Sequence, residues 1–114
     1  MNTKTTTTKK GQLFEKKAID YLQKKQFQII ETNYHAKKMG EIDIIAVKNN
    51  TYHFIEVKSG EGFEAVYNIT PSKLSKLCKS IEYYLKEKNL DTAYCIDAII
   101  FAGTDLEYLE NITL

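Results

Sequence analysis

Four charged residues interrupt the most strand-like part of the chain, residues 40–60. They are Glu41, Asp43, Glu56 and Lys58, and their neighbours are mainly Ile, Val, Phe and Tyr. Acidic side chains are uncommon in strands, because an unpaired buried carboxylate is costly. Two neighbouring carboxylates are, however, ligands that Mg²⁺ and Mn²⁺ prefer, and a lysine beside them can stabilise charge that develops on a phosphate. The residue types therefore suggest metal-assisted phosphodiester hydrolysis.

The same stretch has the pattern of a β-hairpin. Asn49 and Asn50 tolerate the positive φ of a tight type I′ turn, and they separate two strand-like runs at residues 42–47 and 51–57. Both runs are apolar on each alternating face, which is typical of central strands covered on both sides. One predicted face contains Ile42, Ile44, Ala46, Ile55 and Val57, and the other contains Ile45, Val47, Tyr52 and Phe54. The turn also predicts the register of the charged residues.

An even-numbered turn places the charged residues in opposed pairs. Asp43 then faces Glu56, and Glu41 faces Lys58, all on one face at the open end of the hairpin. Because opposed carboxylates repel, we predict that Asp43 and Glu56 bind Mg²⁺ or Mn²⁺, helped by the Val57 carbonyl oxygen. In this interpretation the ion activates a water, Lys58 orients the water or neutralises the phosphate, and Glu41 supports the ligands. The alternative is a ladder of ion pairs that only holds the strand ends together.

The elements around the hairpin predict a mixed sheet flanked by helices. Apolar residues recur at spacings of three and four over residues 11–26, which indicates an amphipathic helix, and residues 27–34 form a first strand. A Thr-Pro pair predicts the start of a second helix over residues 70–88. The apolar run at 91–101 then predicts a strand parallel to its neighbour, because a helical crossover precedes it. A weak edge strand is predicted within residues 106–114.

The length and composition indicate one domain. The 114 residues are 43% hydrophobic and carry a net charge of +1, which are the values of an ordinary globular chain. Residues 1–10 are rich in Thr and Lys and predict a disordered tail, and residues 11–114 predict a single domain. No apolar run is long enough to span a bilayer or to serve as a signal peptide, so we expect a cytoplasmic protein with no membrane partner.

All sixteen basic residues are lysines. Arginine is the usual bidentate reader of guanine, so a chain without it is expected to contact the nucleic-acid backbone rather than the bases. Lys37 and Lys38, in the polar connection before the hairpin, are candidates for such contacts. The second helix has a lysine face formed by Lys73, Lys76 and Lys79, although a lysine face is usually only solvated.

Three polar residues lie in the apolar strands, and two of them, His53 and Cys95, are predicted to be structural. His53 falls opposite Ala46, away from the acids. Asp97 lies in a strand and needs a partner. Cys95, like Cys78, is predicted to be a reduced core thiol, because its spacing fits no metal-binding motif.

Asp43, separated by the twelve residues 44–55 from Glu56-Val57-Lys58, resembles the PD-(D/E)-x-K nuclease superfamily, which has the restriction-endonuclease-like fold. Further segments resemble the YraN-like family of small uncharacterised bacterial proteins. These segments are Gly11, Glu15 and Ala18 in the first helix, Asn33, residues 40–46, residues 54–58, Lys73, and residues 96–99. The chain differs from the superfamily pattern in having no proline before Asp43 and Ser59-Gly60 where relatives often have a basic residue.

The resemblance implies a restriction-endonuclease-like αβββαβ core, α/β in class, related to archaeal Holliday-junction resolvases. It adds Glu15 to the site as a ligand of the metal or of a water. The alternative is that Glu15 is only an acid on the flank of its helix, paired with a lysine. It also favours Lys73 as a DNA contact. The implied activity is a Mg²⁺- or Mn²⁺-dependent endonuclease that selects DNA structure, such as branched intermediates, rather than sequence. Related resolvases act as symmetric dimers, so a homodimer is implied as well.

Two other functions fit the same residues. One is a non-catalytic nucleic-acid-binding protein of the same fold, whose DNA affinity would survive Asp43→Asn and fall with salt. The other is a protein-interaction domain without metal, whose melting temperature would not respond to Mg²⁺ or Mn²⁺.

Overall fold

The computed structural model describes residues 9–60, 70–103 and 105–112. Two helices, α1 (Lys9–Lys24) and α2 (Pro71–Glu87), accompany five strands. The strands are β1 (Gln28–His35), β2 (Glu41–Lys48), β3 (Thr51–Gly60), β4 (Tyr94–Ala102) and β5 (Asp105–Leu109). The sequence Gly60-Glu61-Gly62 predicts the start of a flexible loop that runs to residue 68; Gly60 ends β3, and the rest of this segment lies outside the described residues.

The five strands form one sheet in the order β1-β2-β3-β4-β5. Neighbours are antiparallel except β3 and β4, which are parallel. The chain reaches β4 through α2, as a parallel connection requires. This confirms the predicted αβββαβ order and the mixed α/β class, and it is compatible with the restriction-endonuclease-like core. The edge strand β5 lies largely within the segment predicted for it.

The hairpin turn is the one that the asparagines predict. Asn49 has φ 53° and Asn50 has φ 62°, so both adopt the left-handed conformation of a type I′ turn. Pairing continues in the predicted register as far as Ile44 and Ile55. The ladder therefore stops one residue pair before the first acids.

Two apolar clusters cover the two faces of the sheet. The cluster beneath α1 contains Ala18, Leu22, Phe27, Ile44, Ala46, Ile55, Ile99 and Phe101. The cluster beneath α2 contains Tyr34, Ala36, Ile42, Ile45, Phe54, Leu77, Ile81, Tyr84 and Ile96. Burial on both faces explains why β2 and β3 read as nearly continuous apolar runs.

Ile42 lies on the opposite face from the predicted one. A regular strand would place it beside Ile44 under α1, but it packs under α2 with Tyr34. The change of face occurs at Asp43, where β2–β3 pairing ends and the Asp43 carboxylate accepts a hydrogen bond from the Val57 N–H. A continued ladder would give that N–H to a β2 carbonyl. The prediction for Ile42 was wrong because regular alternation fails where a side chain replaces the backbone partner.

The helix boundaries differ only slightly from the prediction. Helix α1 begins at Lys9 and so includes the last two residues of the predicted tail, and residues 1–8 lie outside the described part. Thr70 caps α2 as predicted, because its hydroxyl accepts a hydrogen bond of 3.2 Å from the Lys73 N–H, and Pro71 follows at the first helical position. In the described residues neither helix has the length and apolar character needed to cross a membrane.

Candidate metal and active site

Asp43 lies where β2 and β3 cease to pair. Its Oδ2 accepts a 2.9 Å hydrogen bond from the Val57 N–H, so the β3 backbone orients the carboxylate. Burial first, and then the charges of Glu56 and Glu41, together raise the pKa of Asp43 to about 8, although the Val57 hydrogen bond lowers it. Without a cation, this carboxyl is therefore largely protonated at neutral pH.

Glu56 and Lys58 project from β3 beside Asp43. The Lys58 Nζ is 3.9 Å from the Glu56 Oε2, at the outer limit of an ion pair, and both side chains are partly buried. Such a long contact contributes little stability on its own. The pKa of Asp43 stays high with this lysine nearby, so Lys58 does not offset the repulsion between the two carboxyl groups.

The Asp43 side chain lines a cavity of about 180 Å³ on the α1 side of the sheet, which we call the α1-side cavity. Glu41, Lys58 and Glu15 also line it. Glu15 reaches the cavity from α1, and its Oε1 accepts a 2.9 Å hydrogen bond from the Asn33 side-chain amide. The structure therefore brings Glu15 to the same cavity as Asp43, where the family resemblance places it.

Glu56 lines a different cavity, of about 160 Å³, against α2, which we call the α2-side cavity. Glu41 borders both cavities. The four charged residues thus meet at one end of the hairpin, where the carboxyl groups of Asp43 and Glu56 interact through their charges and a side-chain hydrogen bond, although the two residues line different cavities. The cause is the change of face at Asp43, which turns its carboxylate toward α1 while Glu56 keeps the alternation of β3.

The lysines predicted to contact nucleic acid are Lys37, Lys38 and Lys73, and they lie in two places. Lys73 and Lys76 line the α2-side cavity, next to Glu56 and Glu41. Lys37 and Lys38 are exposed in the connection between β1 and β2 and border neither cavity. Lys73 and Lys76 therefore offer the nearer positive charge to a phosphate at the acids.

The sequence left one polar cluster unrecognised. His53, Cys95 and Asp97 come together at the turn end of the sheet, where β3 and β4 pair. Taken alone, His53 and Cys95 are predicted to be structural and Asp97 to be a buried acid that needs a partner. They are brought together by the register between β3 and β4. The sequence does not predict this register, because no short turn joins the two strands.

The predicted role of the Val57 carbonyl oxygen stays a prediction. The backbone of Val57 is at the site, but the contact that the structure shows is made by its N–H, to Asp43. His35 has its Nδ1 3.9 Å from a carboxylate oxygen of Glu41. Both side chains are largely exposed, so this pair adds little to the site.

Comparison with known proteins places this geometry in a family. Residues 14–101 match the model of the uncharacterised protein family UPF0102. The chain belongs to this family. UPF0102 is the YraN-like family, so the resemblance drawn from the sequence motifs is confirmed.

Bacterial members of UPF0102 resemble this chain over nearly its whole length. A UPF0102 protein of Aliarcobacter butzleri is 53% identical over 106 residues, covering 92% of this chain and 96% of the relative. One from Helicobacter hepaticus is 52% identical, covering 92% and 94%, and one from Wolinella succinogenes is 50% identical, covering 92% and 96%. The family description names no activity, so function has to be argued from the site.

Proposed function

We propose that this protein is a Mg²⁺- or Mn²⁺-dependent DNA endonuclease that recognises DNA structure rather than sequence. The observation that carries the proposal is the Asp43–Glu56 pair. Burial and mutual repulsion raise the pKa of Asp43 to about 8, although the Val57 N–H favours the charged form. A divalent cation would remove that repulsion, because it binds both carboxylates in their ionised state.

The donor set fits a hard cation. Asp43, Glu56 and Glu15 supply carboxylate oxygens only, which suits Mg²⁺ or Mn²⁺ better than softer metals. When bound, the ion would polarise a phosphate and lower the pKa of a water molecule. The hydrogen bond from Asn33 holds Glu15 in one orientation, and the hydrogen bond from Val57 does the same for Asp43.

Lys58 and Glu41 have separate roles in this proposal. The Lys58 amine, beside Glu56, donates to a phosphate oxygen and stabilises the negative charge that builds up during cleavage. Glu41 borders both cavities and keeps the local field negative when the ion is absent.

DNA binding would use the lysines of α2. Lys73 and Lys76 line the cavity that contains Glu56, so a phosphate held by them lies next to the acids. Lysines act as point charges and do not read base edges, which agrees with recognition of DNA shape. Lys37 and Lys38 would contact phosphates further along the strand. A homodimer would present two such sites to a branched substrate.

The proposal is tested first by metal binding. Calorimetric titration of Mn²⁺ should give a binding heat with the wild type and none with Asp43→Asn at the same concentrations. Asp91→Asn, which changes an exposed acid before β4, is the matched control and should bind like the wild type. Equal Mn²⁺ affinity in wild type and Asp43→Asn would contradict the metal site.

Cleavage is tested next on branched, nicked and single-stranded DNA. With Mg²⁺ or Mn²⁺ at least one substrate should be cut, and chelation or Asp43→Asn should stop cutting. Failure to cut any of them, with Mn²⁺ binding intact, would leave a metal-binding protein without this activity. Failure to bind Mn²⁺ at all would mean that the acids only stabilise the strand ends, as in a protein-interaction domain.

The lysines beside Glu56 favour a second candidate, a DNA-binding protein that does not cut. In that case Asp43→Asn would bind branched DNA as tightly as the wild type, and no condition would give cleavage. Affinity would still fall with salt, because phosphate contacts release counterions.

A further inference from the structure

A second group of metal-ligand side chains lies at the other end of β3. His53 and Cys95 are partners in the parallel β3–β4 ladder, and Asp97 follows Cys95 by two residues, so all three project from one face. One ligand atom from each lies within 4.8 Å of the other two. Three residues from His53 to Glu56 correspond to about 10 Å along the strand, which separates this group from the Asp43–Glu56 site.

The three groups contact each other through His53. Its Nδ1 is 2.6 Å from the Asp97 Oδ2 and 3.0 Å from the Cys95 Sγ. Asp97 is fully buried and His53 is only 5% exposed. A carboxylate at that depth needs positive charge or several donors.

Neighbouring groups hold the Asp97 carboxylate and the His53 ring in place. The Tyr108 hydroxyl donates to the Asp97 Oδ2, and the Asn111 N–H donates to the Oδ1 at 2.8 Å. The ring of Phe27 meets the His53 ring edge-on, with centroids 4.9 Å apart. Outer hydrogen bonds and packing of this kind orient the ligands in protein metal sites.

A cavity of about 440 Å³ opens beside the cluster, and we call it the turn-end cavity. His53 and Cys95 form part of its wall, and Glu110 lies on the same wall. It gives an ion access to the cluster and leaves room for a fourth ligand. That ligand would be a water molecule or the Glu110 carboxylate.

We propose that His53, Cys95 and Asp97 bind a Zn²⁺ ion, with the fourth coordination position open toward the turn-end cavity. A nitrogen, a sulfur and an oxygen form a mixed donor set that suits borderline-soft Zn²⁺ and not Mg²⁺. On binding, the Cys95 thiol loses its proton to solvent and its sulfur bonds to the ion. This site is thus chemically distinct from the all-oxygen site at Asp43.

The metal-free geometry is close to the geometry that Zn²⁺ requires. Without the ion, the ligand atoms share protons at hydrogen-bond distances, 2.6 Å and 3.0 Å. Bonds of about 2.0–2.3 Å to a tetrahedral Zn²⁺ hold ligand atoms roughly 3.3–3.6 Å apart. Each of these two distances from the His53 Nδ1 therefore lengthens by less than about an ångström on binding, and the adjoining cavity leaves room for this change.

Co²⁺ is the probe, because a thiolate bound to tetrahedral Co²⁺ gives a near-ultraviolet charge-transfer band together with visible bands. Titration of the full-length protein with Co²⁺ under a non-thiol reductant should produce both bands at one equivalent. Added Zn²⁺ should bleach them. Cys95→Ser should lose the charge-transfer band, and Cys78→Ser, the control in the other half-buried thiol, should keep it.

A second variant and a second readout make the test independent of folding. His53→Gln, checked for native far-ultraviolet circular dichroism, should bind Zn²⁺ at least about 100-fold more weakly in competition with a chromophoric chelator. Zn²⁺ should raise the melting temperature of wild type and Cys78→Ser but not of Cys95→Ser. An unchanged band in Cys95→Ser, or no band in the wild type, would overturn the proposal.

Asp43→Asn separates this inference from the proposed nuclease function. The variant should keep the Co²⁺ bands, because its change lies at the other site. Loss of Mn²⁺ binding together with intact Co²⁺ bands would support both assignments. Loss of the bands in Asp43→Asn would mean that Co²⁺ binding at the cysteine depends on the acids, and would contradict a separate site.

Discussion

At the scale of single residues, Asp43 is held in a position that disfavours its own charge. The same backbone N–H that orients its carboxylate also keeps it near Glu56 and away from solvent. A side chain in that state responds strongly to anything that brings positive charge, whether a proton or a metal ion. Proton and metal should therefore compete at this residue.

The metal-free protein should lose stability as the pH rises. The pKa of Asp43 is about 8 in the folded protein and near 3.8 ordinarily, so the folded state binds more protons than the unfolded chain between these values. Stability in EDTA then falls from about pH 4 to about pH 8. Asp43→Asn lacks this loss and should be more stable than wild type at pH 8 by up to about 5 kcal/mol, because each unit of pKa difference corresponds to about 1.4 kcal/mol.

Urea unfolding of both proteins at several pH values measures this difference. The two stability curves should converge toward pH 4, where Asp43 is protonated in the folded state and also partly protonated in the unfolded chain. A constant gap between the curves would contradict a raised pKa at Asp43.

Lys58 should affect cleavage more than metal binding. It lies beside Glu56 at a distance that contributes little stability, so its charge is available to a phosphate. Lys58→Met should lower the cleavage rate constant by about 100-fold, as removal of one charge-stabilising donor typically does. Mn²⁺ affinity should change little, and Lys79→Met, on the exposed side of α2, should cut like the wild type. Equal losses in the two variants would remove Lys58 from the chemistry.

At the scale of elements, the sequence predicts the hairpin best because the turn signal is local. Two adjacent asparagines set both the turn type and the strand register, and the structure confirms each as far as Ile44 and Ile55. The sequence does not predict the face on which Ile42 lies, because this face depends on a hydrogen bond between Asp43 and the backbone of another strand. Local patterns specify regular pairing but not the point where a side chain ends it.

The His53–Cys95–Asp97 cluster also depends on a feature that local sequence patterns do not specify, the pairing of β3 with β4. These strands are joined through α2, so no turn fixes their parallel register in the sequence. His53 and Cys95 are separated by 41 intervening positions, and only the sheet makes them neighbours. Grouping Asp43 with Glu56 was feasible because a short turn joins their strands.

The turn itself should be sensitive to the residue at position 50. Its φ of 62° suits asparagine or glycine and is strained for a β-branched residue. Asn50→Val should lower stability by about 1–2 kcal/mol, the cost of the left-handed conformation. Asn50→Gly should be at least as stable as wild type, and thermal unfolding of the three proteins measures the order. A stable Asn50→Val protein would mean that the turn can change type.

At the scale of the whole molecule, charge is distributed to suit a polyanion at one end of the sheet. Acids lie at the end of the β2–β3 ladder, and the lysines of α2 lie next to them. A net charge of +1 hides this arrangement, because acids and lysines cancel in the sum. The sequence predicts that these charged residues lie close together. It does not predict their division between two cavities, because that division depends on how α1 and α2 pack against the sheet.

The salt dependence of DNA binding should report the α2 lysines. Each phosphate contact adds about 0.9 to the slope of log affinity against log salt. The double variant Lys73→Ala with Lys76→Ala should flatten that slope by about 2, measured by fluorescence anisotropy on branched DNA. A control pair on the same helix, Lys79→Ala with Lys86→Ala, is exposed away from the acids and should flatten it less. Equal slopes for both pairs would show that the charge acts only at long range.

Strand β3 contributes to both ends of the molecule, and its pairing with β4 is unbroken from Tyr52 to Gly60. A single inserted or deleted residue between His53 and Glu56 would shift one end of the strand against β4 and turn the side chains beyond it to the other face. Length changes in β3 should therefore be tolerated poorly compared with those at Asn49 and Asn50, where the chain leaves the sheet. The separation of the two sites is in this sense fixed by the residue count of one strand.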